Sequence, residues 1–308
     1  MPQWHTATTR IAPESISLGS SKRDKSTKID LLGETVHIER IGTNGDMEKA
    51  ARLFKDFDGR VDAFGLGGIV FGFTVGKKWY PLHSVKPMVR YIKKTPIVDG
   101  TGLKMTLEAN VLSFIESRIG DYINEKKVLI TSCVDRWAIA KSFLDGGYQC
   151  VFGDLMFALG IPLAIRREEI AKILSSILLP IVAHLPFQWL YPTGNGQELS
   201  RPKWTEFYSW ASLIAGDCHY IKLYMPENLD GKVLVTNTTT LEDVEEFRHR
   251  GVKFLITTTP VLDGRSFGTN LMEAAIIAAS GKERVITQDE LKVILGQLKL
   301  EPVLRKLN

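Results

Sequence analysis

The sequence has few of the residues that mark metal-binding or disulfide-stabilised proteins. It contains only three cysteines in 308 residues, Cys133, Cys150 and Cys218, and no two of them have the spacing of metal ligands. A small, odd set of thiols is typical of a reducing cytoplasm and predicts free, buried side chains. The six histidines show no ligand spacing either, so we expect no metal site.

Long apolar runs and blocks of one charge are also missing. The most apolar stretch, Ile173–Leu185, is interrupted by Pro180 and His184 and is too short to span a bilayer. Met1–Pro13 has no apolar core of the signal-peptide type. The net charge of +4 arises from interleaved basic and acidic residues, whereas a nucleic-acid interface usually shows a clustered basic stripe. We therefore expect a soluble cytoplasmic protein that binds neither nucleic acid nor membrane.

What the sequence does contain is a regular alternation of short β-type runs and helical patterns, which is typical of βαβ units around a parallel sheet. The length suits two domains. We predict an α/β fold with a substrate-binding domain over residues 1–122 and a Rossmann-like, dinucleotide-binding domain over residues 123–285. A C-terminal helix within residues 286–308 is expected to pack back on the first domain.

Three segments of the second domain are assigned from local pattern. We predict a short strand at Ile181–His184, an aromatic helix over Trp204–Ala215 and a strand at Tyr220–Tyr224.

The predicted strands end in small and hydroxylated residues, and ligands of open parallel sheets bind at those ends. The segments are Ser20-Ser21, Gly67-Gly68, Asp99 to Gly102, Thr131-Ser132, Thr236 to Thr240 and Thr257 to Thr259. Hydroxyls and free N–H groups bind oxygen-rich or phosphorylated ligands, but the same residues also serve tight turns and helix caps. Six such segments in one chain favour a binding site.

The order of these segments resembles the shikimate/quinate dehydrogenase family, in a divergent, quinate 5-dehydrogenase-like form. Gly72-Phe73-Thr74-Val75-Gly76-Lys77 is similar to the family's G-x-N-V-T-x-P-x-K segment. Asp99-Gly100-Thr101-Gly102 is similar to N-T-D-G-x-G. Val128 to Ala140 stands where the family has a strand, G-x-G-G-x-x-R and a helix, and Gly268 to Ala275 resembles G-x-x-M-L-V-x-Q-A-A.

The resemblance implies an NAD(P)-dependent oxidoreductase that acts on a hydroxylated small molecule, with Lys77 and Asp99 as a hydrogen-bonded, proton-transferring pair. It implies substrate contacts from Ser20, Ser21, Lys22, Thr74, Thr101 and Glu273, and cofactor contacts from Thr131, Ser132, Arg136, Asp154, Thr236, Thr257 and Thr258. Asp154 follows the first turn by about 20 residues, where an acid hydrogen-bonds the adenosine ribose, so NAD is favoured over NADP.

Other interpretations of these residues stay open. Lys77 also fits a solvated hairpin lysine, and Asp99 and Asp154 also fit helix or loop caps. The first Rossmann turn, Thr131–Arg136, contains no glycine, and side chains there obstruct a pyrophosphate. Asp135 adds negative charge at the same place. A non-redox enzyme, or a sensor, that binds a small anionic metabolite in the interdomain cleft of a degenerate dehydrogenase scaffold is therefore the alternative. A homodimer is compatible with either function.

Overall fold

The computed structural model describes residues 14–185, 201–259, 261, 262 and 265–308. The elements of the first third are β1 (Glu14–Ser17), β2 (Lys25–Leu31), β3 (Glu34–Gly42), α1 (Met47–Phe57), β4 (Phe64–Gly67), β5 (Gly72–Val75), β6 (Lys78–Pro81), α2 (Lys86–Val89) and β7 (Ile97–Val98). Five of the strands form the first sheet, in the order β2-β3-β1-β4-β7, while β5 and β6 form a separate hairpin.

The first sheet is parallel around its central strand. β1 pairs in parallel with β3 and β4, and β4 pairs in parallel with β7, whereas β2 is antiparallel to β3. All four residues of β1 are buried, as expected for a strand covered on both faces. The crossover α1 begins at Asp46, whose carboxylate accepts a hydrogen bond from the Lys49 N–H at 2.8 Å. The carboxyl ends of β1, β3, β4 and β7 therefore meet at one edge.

The remaining two thirds of the chain build the second sheet and its helices. The elements are α3 (Thr101–Leu107), α4 (Val111–Ile119), β8 (Lys127–Ile130), α5 (Trp137–Asp145), β9 (Gln149–Phe152), α6 (Asp154–Phe157), α7 (Glu168–Val182), α8 (Thr205–Trp210), β10 (Leu213–Ala215), α9 (Cys218–Tyr224), β11 (Val233–Thr236), α10 (Leu241–His249), β12 (Phe254–Thr257), β13 (Val261–Leu262), β14 (Arg265–Ser266), α11 (Thr269–Ser280), α12 (Gln288–Leu298) and β15 (Val303–Lys306).

The second sheet has six strands in the order β15-β12-β11-β10-β8-β9. Its strands from β12 to β9 pair in parallel, and β15 is antiparallel to β12. The predicted mixed α/β fold with a Rossmann-like parallel sheet is thus confirmed.

The C-terminal residues divide between the two sheets. α11 is buried along nearly its whole length and packs on the first sheet, together with Leu291 and Leu295 of α12. β15 then returns to the second sheet and pairs with β12. Residues 286–308 therefore contain a helix that packs on the first sheet and a strand that extends the second.

Three local predictions are wrong. Tyr220–Tyr224 lies in helix α9, because the Asp217 carboxylate accepts a hydrogen bond from the His219 N–H at 3.0 Å and caps that helix. Ile181–His184 is not a strand, since α7 continues through Pro180 to Val182. The helix predicted over Trp204–Ala215 ends at Trp210, and Leu213–Ala215 enters the sheet between β8 and β11.

Two properties bear on the class of protein. The three cysteines are free and buried, as predicted. Among the helices described here, none is long and apolar enough to cross a membrane.

Candidate functional site

The carboxyl-terminal edges of the two sheets face a common cleft. It has a volume of about 230 Å³ and is lined by residues from both halves of the chain, including Ser15, Ser17 and Gly67 of the first sheet and Asp217 and Asn237 beside the second. This is the place where ligands of open α/β sheets bind. We therefore take the cleft as the candidate site.

The described lining of the cleft carries more positive than negative side chains. Five cations line it, Arg23, Lys25, Arg40, Lys104 and Arg136, against three carboxylates, Asp99, Asp135 and Asp217. A cleft lined by one predominant sign of charge concentrates ligands of the opposite sign. The excess favours an anionic ligand.

The cations differ in how far the protein neutralises them. Arg40 pairs with Asp24 at 2.8 Å, and Lys104 pairs with Asp135 at 2.8 Å. Within the described part of the chain, Lys25 has no ion pair, and its ammonium lies 5.2 Å from the centre of the Phe267 ring. Lys25 is therefore the cation most available to a ligand.

Asp99 is held in a fixed orientation at the floor of the cleft. It follows β7, is 8% exposed, and its two oxygens accept hydrogen bonds from the Phe71 N–H at 2.8 Å and the Thr101 N–H at 2.9 Å. Each carboxylate oxygen retains a second lone pair for a ligand.

The expected pair of Lys77 and Asp99 is not formed. Lys77 is exposed in the turn between β5 and β6, and no hydrogen bond or ion pair among the described residues joins it to Asp99. Together with Thr74 and Thr101 it lines a different cavity, of about 420 Å³. The lysines that share the cleft with Asp99 are Lys25 and Lys104, neither of which the family resemblance selected. The physical reason is that the hairpin projects Lys77 away from the carboxyl ends of the strands.

The segments Asp99–Gly102 and Gly268–Glu273 lie together, but Glu273 binds the protein backbone rather than facing the cleft. Its carboxylate is 4% exposed and accepts a hydrogen bond from the Leu103 N–H at 3.1 Å, at the start of α3. Burial raises the pKa of Glu273 to about 7, a shift that this hydrogen bond opposes. Glu273 thus caps α3 and does not line the cleft.

The predicted substrate loop 20–22 also turns away from the described cleft lining. The Ser20 hydroxyl accepts a hydrogen bond from the Lys22 N–H at 3.2 Å, and the Ser21 hydroxyl accepts one from the Asn44 amide at 3.0 Å. The cleft receives the neighbouring Ser17 and Arg23 instead.

The first turn of the second sheet is closed by an acidic side chain. Asp154, which follows β9 directly, accepts hydrogen bonds from the Cys133 N–H at 3.1 Å and the Val134 N–H at 2.8 Å. In a dinucleotide-binding Rossmann domain these turn amides would face the pyrophosphate. Burial raises the pKa of Asp154 to about 6, against the opposing effect of the two amides. The carboxylate therefore occupies the donors that the phosphate would need.

A buried ion cluster fixes the other end of the turn. The Arg136 guanidinium pairs with Glu108, with Asp135 at 3.0 Å and with Asp217 at 3.4 Å, and its side chain is 2% exposed. Burial alone would lower the pKa of Arg136, but the three carboxylates raise it above its usual range. Arg136 therefore remains charged, and its described partners are the protein's own carboxylates.

The other predicted cofactor residues are buried hydroxyls. Thr258 donates to Glu108 at 3.4 Å, and Thr236 donates to Asn237 at 3.1 Å. Thr131 and Ser132 border a small apolar cavity of about 130 Å³ beside α7, while the Thr257 hydroxyl is buried without a hydrogen-bond partner among the described atoms. None of these five hydroxyls belongs to the described lining of the cleft.

The turn does not fit a dinucleotide. Its two amides already donate to Asp154, its arginine is enclosed by carboxylates, and the Asp154 carboxylate lies against the amides that the pyrophosphate would need. The described residues also contain no group of three or more side chains placed to hold a metal ion.

A contact between the two halves was missed by sequence reasoning. The Arg23 guanidinium lies 2.7 Å from the Nε2 atom of His219, across the cleft. Burial lowers the pKa of His219 to about 4, so the imidazole is neutral and Nε2 accepts the hydrogen bond. No local pattern signals this contact, because the two residues are 196 positions apart in the sequence. Lys25 and Arg40 face each other in the register of β2 and β3, a pairing that was not predicted from the sequence.

Comparison with known proteins identifies two families of unknown function and several distantly similar solved structures. No curated protein sequence matches the chain. Among solved structures, the chain is similar to an NAD-dependent malic enzyme from Thermotoga maritima, at 14% identity and a TM-score of 0.40, over 93% of this chain and 76% of that one. It is similar to a structure described as a malic enzyme (malate oxidoreductase), at 15% identity and a TM-score of 0.36, over 84% and 65%. A periplasmic ribose ABC transporter from Conexibacter woesei matches at 11% identity and a TM-score of 0.35, over 95% and 97%.

Two family models divide the sequence between them. Residues 14–99 match the domain of unknown function DUF8753, and residues 102–307 match the domain of unknown function DUF8754. Since the second model covers more than half of the chain, the protein belongs to the DUF8754 family.

Proposed function

We propose that the protein binds a small, anionic, hydroxylated metabolite in the cleft between its two sheets, and acts on it without a dinucleotide held by the first turn of the second sheet. The observation that carries this proposal is the charge of the cleft, where five cations face three carboxylates. Lys25 is the anchor, because its ammonium is half-buried and has no ion pair among the described residues.

Groups for the uncharged part of such a ligand lie beside Lys25. Ser15, Ser17 and Asn270 offer hydroxyl and amide groups along the edge of the first sheet. Asn270 also donates to Ser15 at 2.7 Å, which ties the start of α11 to β1 and keeps both side chains in place. Such paired hydroxyls and amides suit a ligand that carries several hydroxyl groups.

The chemistry available to the cleft is proton transfer. Asp99 can accept a proton from a ligand hydroxyl or an activated C–H group, since its oxygens keep free lone pairs beside two fixed backbone donors. Lys104 supplies positive charge near an anion that forms there, and Asp135 keeps its ammonium in place at 2.8 Å. The proposal is therefore a non-redox enzyme that uses general acid–base catalysis.

The competing proposal is an oxidoreductase of the quinate or shikimate dehydrogenase type, with NAD or NADP. The parallel second sheet and the position of Asp99 support it. It requires a pyrophosphate near Cys133 and Val134, and the hydrogen bonds from those amides to Asp154 weigh against it. We also propose that the protein is cytoplasmic, because its three thiols are free, as is typical of proteins in a reducing compartment.

Calorimetric titration separates the two proposals. The probes are quinate and inorganic phosphate for the anion site, and NADH and NADPH for the turn. We expect binding of at least one anionic probe, weakened about tenfold or more in Lys25→Gln because a charge-assisted hydrogen bond is lost. Lys28→Gln is the matched control, since Lys28 lies on the same strand and is exposed outside the described cleft lining. Binding of NADH or NADPH that is indifferent to Lys25 would favour the oxidoreductase.

A further inference from the structure

Helix α7 exposes a continuous apolar stripe. Ile173, Ile177 and Ile181 are each more than half exposed, and Ile170 is 43% exposed. Their spacing of three or four residues places them on one face of the helix. On the opposite face, Ala171 is buried against the second sheet and Leu179 is buried against the β5–β6 hairpin. The stripe is therefore additional to the face that the fold already uses.

The loop before α7 enlarges the stripe into a patch. Leu159, Ile161 and Leu163 lie in the loop before α7 and are each about half exposed, and Leu159 borders the same cavity as Leu174 and Leu178 of the helix. Seven half-exposed aliphatic side chains cover about 600 Å², which is at the upper limit for the largest apolar patch of a monomer. Specific interfaces bury about 600–1,000 Å² on each partner. The patch, with a polar rim such as the Glu168–Lys172 ion pair, therefore has the size that a dimer requires.

We propose that this patch binds the same patch of a second copy of the chain, with the two α7 helices antiparallel and crossing at Ile177. The exposed isoleucines at positions 173, 177 and 181 are symmetric about residue 177. In an antiparallel pair Ile173 faces Ile181 of the other copy, and Ile177 faces its own counterpart. A two-fold interface demands such self-complementarity.

Oligomeric state and cross-linking test the dimer on the full chain. Sedimentation equilibrium should show a dimer whose dissociation constant rises about 100-fold or more in Ile177→Glu, because each interface then buries two unpaired carboxylates. Val293→Glu is the control, since Val293 is equally exposed, on α12. Ile177→Cys should form a disulfide-linked dimer under mild oxidation, whereas Val293→Cys should not. The three native cysteines are buried and will not compete.

Two results would overturn this inference. One is a wild-type chain that stays monomeric up to about 1 mM, a concentration at which even a weak interface forms. The other is a dimer that Ile177→Glu leaves intact and that Ile177→Cys does not cross-link. If the wild-type chain is monomeric and Ile177→Glu unfolds it, the stripe packs against another segment of the same chain. Neither result bears on the metabolite site, which lies in the cleft.

Discussion

The carboxyl edges of the two sheets have similar compositions but differ in whether they leave space for a ligand. At the first sheet the loops open on a cavity, and a cation without an ion pair among the described residues, Lys25, lies beside it. At the second sheet the first turn is filled by the protein itself, since Asp154 binds two of its amides and Arg136 is enclosed by carboxylates. A carboxylate is thus held where a phosphate would bind, and small residues at a strand end do not by themselves define a ligand site.

The largest expected effect comes from disrupting the ion cluster at the first turn of the second sheet. Arg136→Met removes the cation that Glu108, Asp135 and Asp217 surround, and leaves buried carboxylates without compensation. We expect the free energy of unfolding in urea to fall by about 3–5 kcal/mol. Arg118→Met is the control, because Arg118 is exposed and its pair with Glu301 at 3.5 Å should contribute no more than about 1 kcal/mol. Equal losses in the two variants would show that the cluster is not what closes the turn.

The open side depends on a close backbone approach beside Asp99. Gly100 has a φ of +85°, and a Cβ atom there would lie 2.3 Å from the Thr269 hydroxyl and 2.4 Å from the Asn270 nitrogen. Gly100→Ala should therefore lower stability by about 3 kcal/mol, from strain and from overpacking. Gly33 has a φ of +82° with no atom within 4 Å of such a Cβ. Gly33→Ala should cost only the backbone strain, about 1 kcal/mol, and a matching loss at both glycines in thermal unfolding would contradict the packing at Gly100.

Removing the Asp154 carboxylate tests directly whether this side chain closes the first turn. Asp154→Ala leaves the Cys133 and Val134 amides without their acceptor, and we expect a loss of about 2 kcal/mol. Hydrogen exchange should accelerate at these two amides, whereas Asp145→Ala, at an exposed carboxylate on α5, should leave them unchanged. Unaltered protection in Asp154→Ala would mean that another group closes the turn.

The smallest effect is a pH dependence at Glu273. Its pKa is raised from the ordinary 4.5 to about 7, so the folded state holds this proton more tightly than the unfolded state. Stability then falls as the pH rises between these values. Glu273→Gln should be more stable than the wild type by about 1 kcal/mol at pH 8, with the gain lost below pH 4.5.

Glu290→Gln serves as the control with the opposite sign. Arg284 and Lys282 hold the pKa of Glu290 below its usual range, so its ionised form stabilises the fold above that range and this contribution is lost as the pH falls. Glu290→Gln should therefore be less stable than the wild type near neutral pH, and the deficit should disappear in acid. Parallel pH profiles for Glu273→Gln and the wild type would contradict the burial of Glu273.

Much of the fold followed from local pattern, because the two sheets are built from βαβ units with strong periodicity. The parallel strands β8, β9, β11 and β12 and the position of Asp99 after β7 are examples. Tyr220–Tyr224 failed because its aromatic and β-branched residues favour a strand, while the side chain of Asp217, just before them, caps a helix. Pro180 suggested a break in α7, but it lies near the end of the helix, which continues past it to Val182.

The site was harder to predict than the fold, because its contacts join distant parts of the chain. Asp154 was selected at the correct strand end, but its hydrogen bonds to the Cys133 and Val134 amides depend on the distance between two loops. The resemblance to the shikimate/quinate dehydrogenase family implied that Lys77 pairs with Asp99, whereas Lys77 lies exposed in the turn between β5 and β6. Composition pointed to the strand ends of both sheets alike, and only the packing distinguishes the side chains that line the cleft.

A crystal structure determined after soaking with NADH tests the closed turn most directly. We predict that Asp154 still accepts hydrogen bonds from the Cys133 and Val134 amides and that no pyrophosphate density lies beside them. A soak with quinate or phosphate should place the ligand against Lys25. Pyrophosphate density on the two amides, with Asp154 displaced, would contradict the proposed function and restore the oxidoreductase.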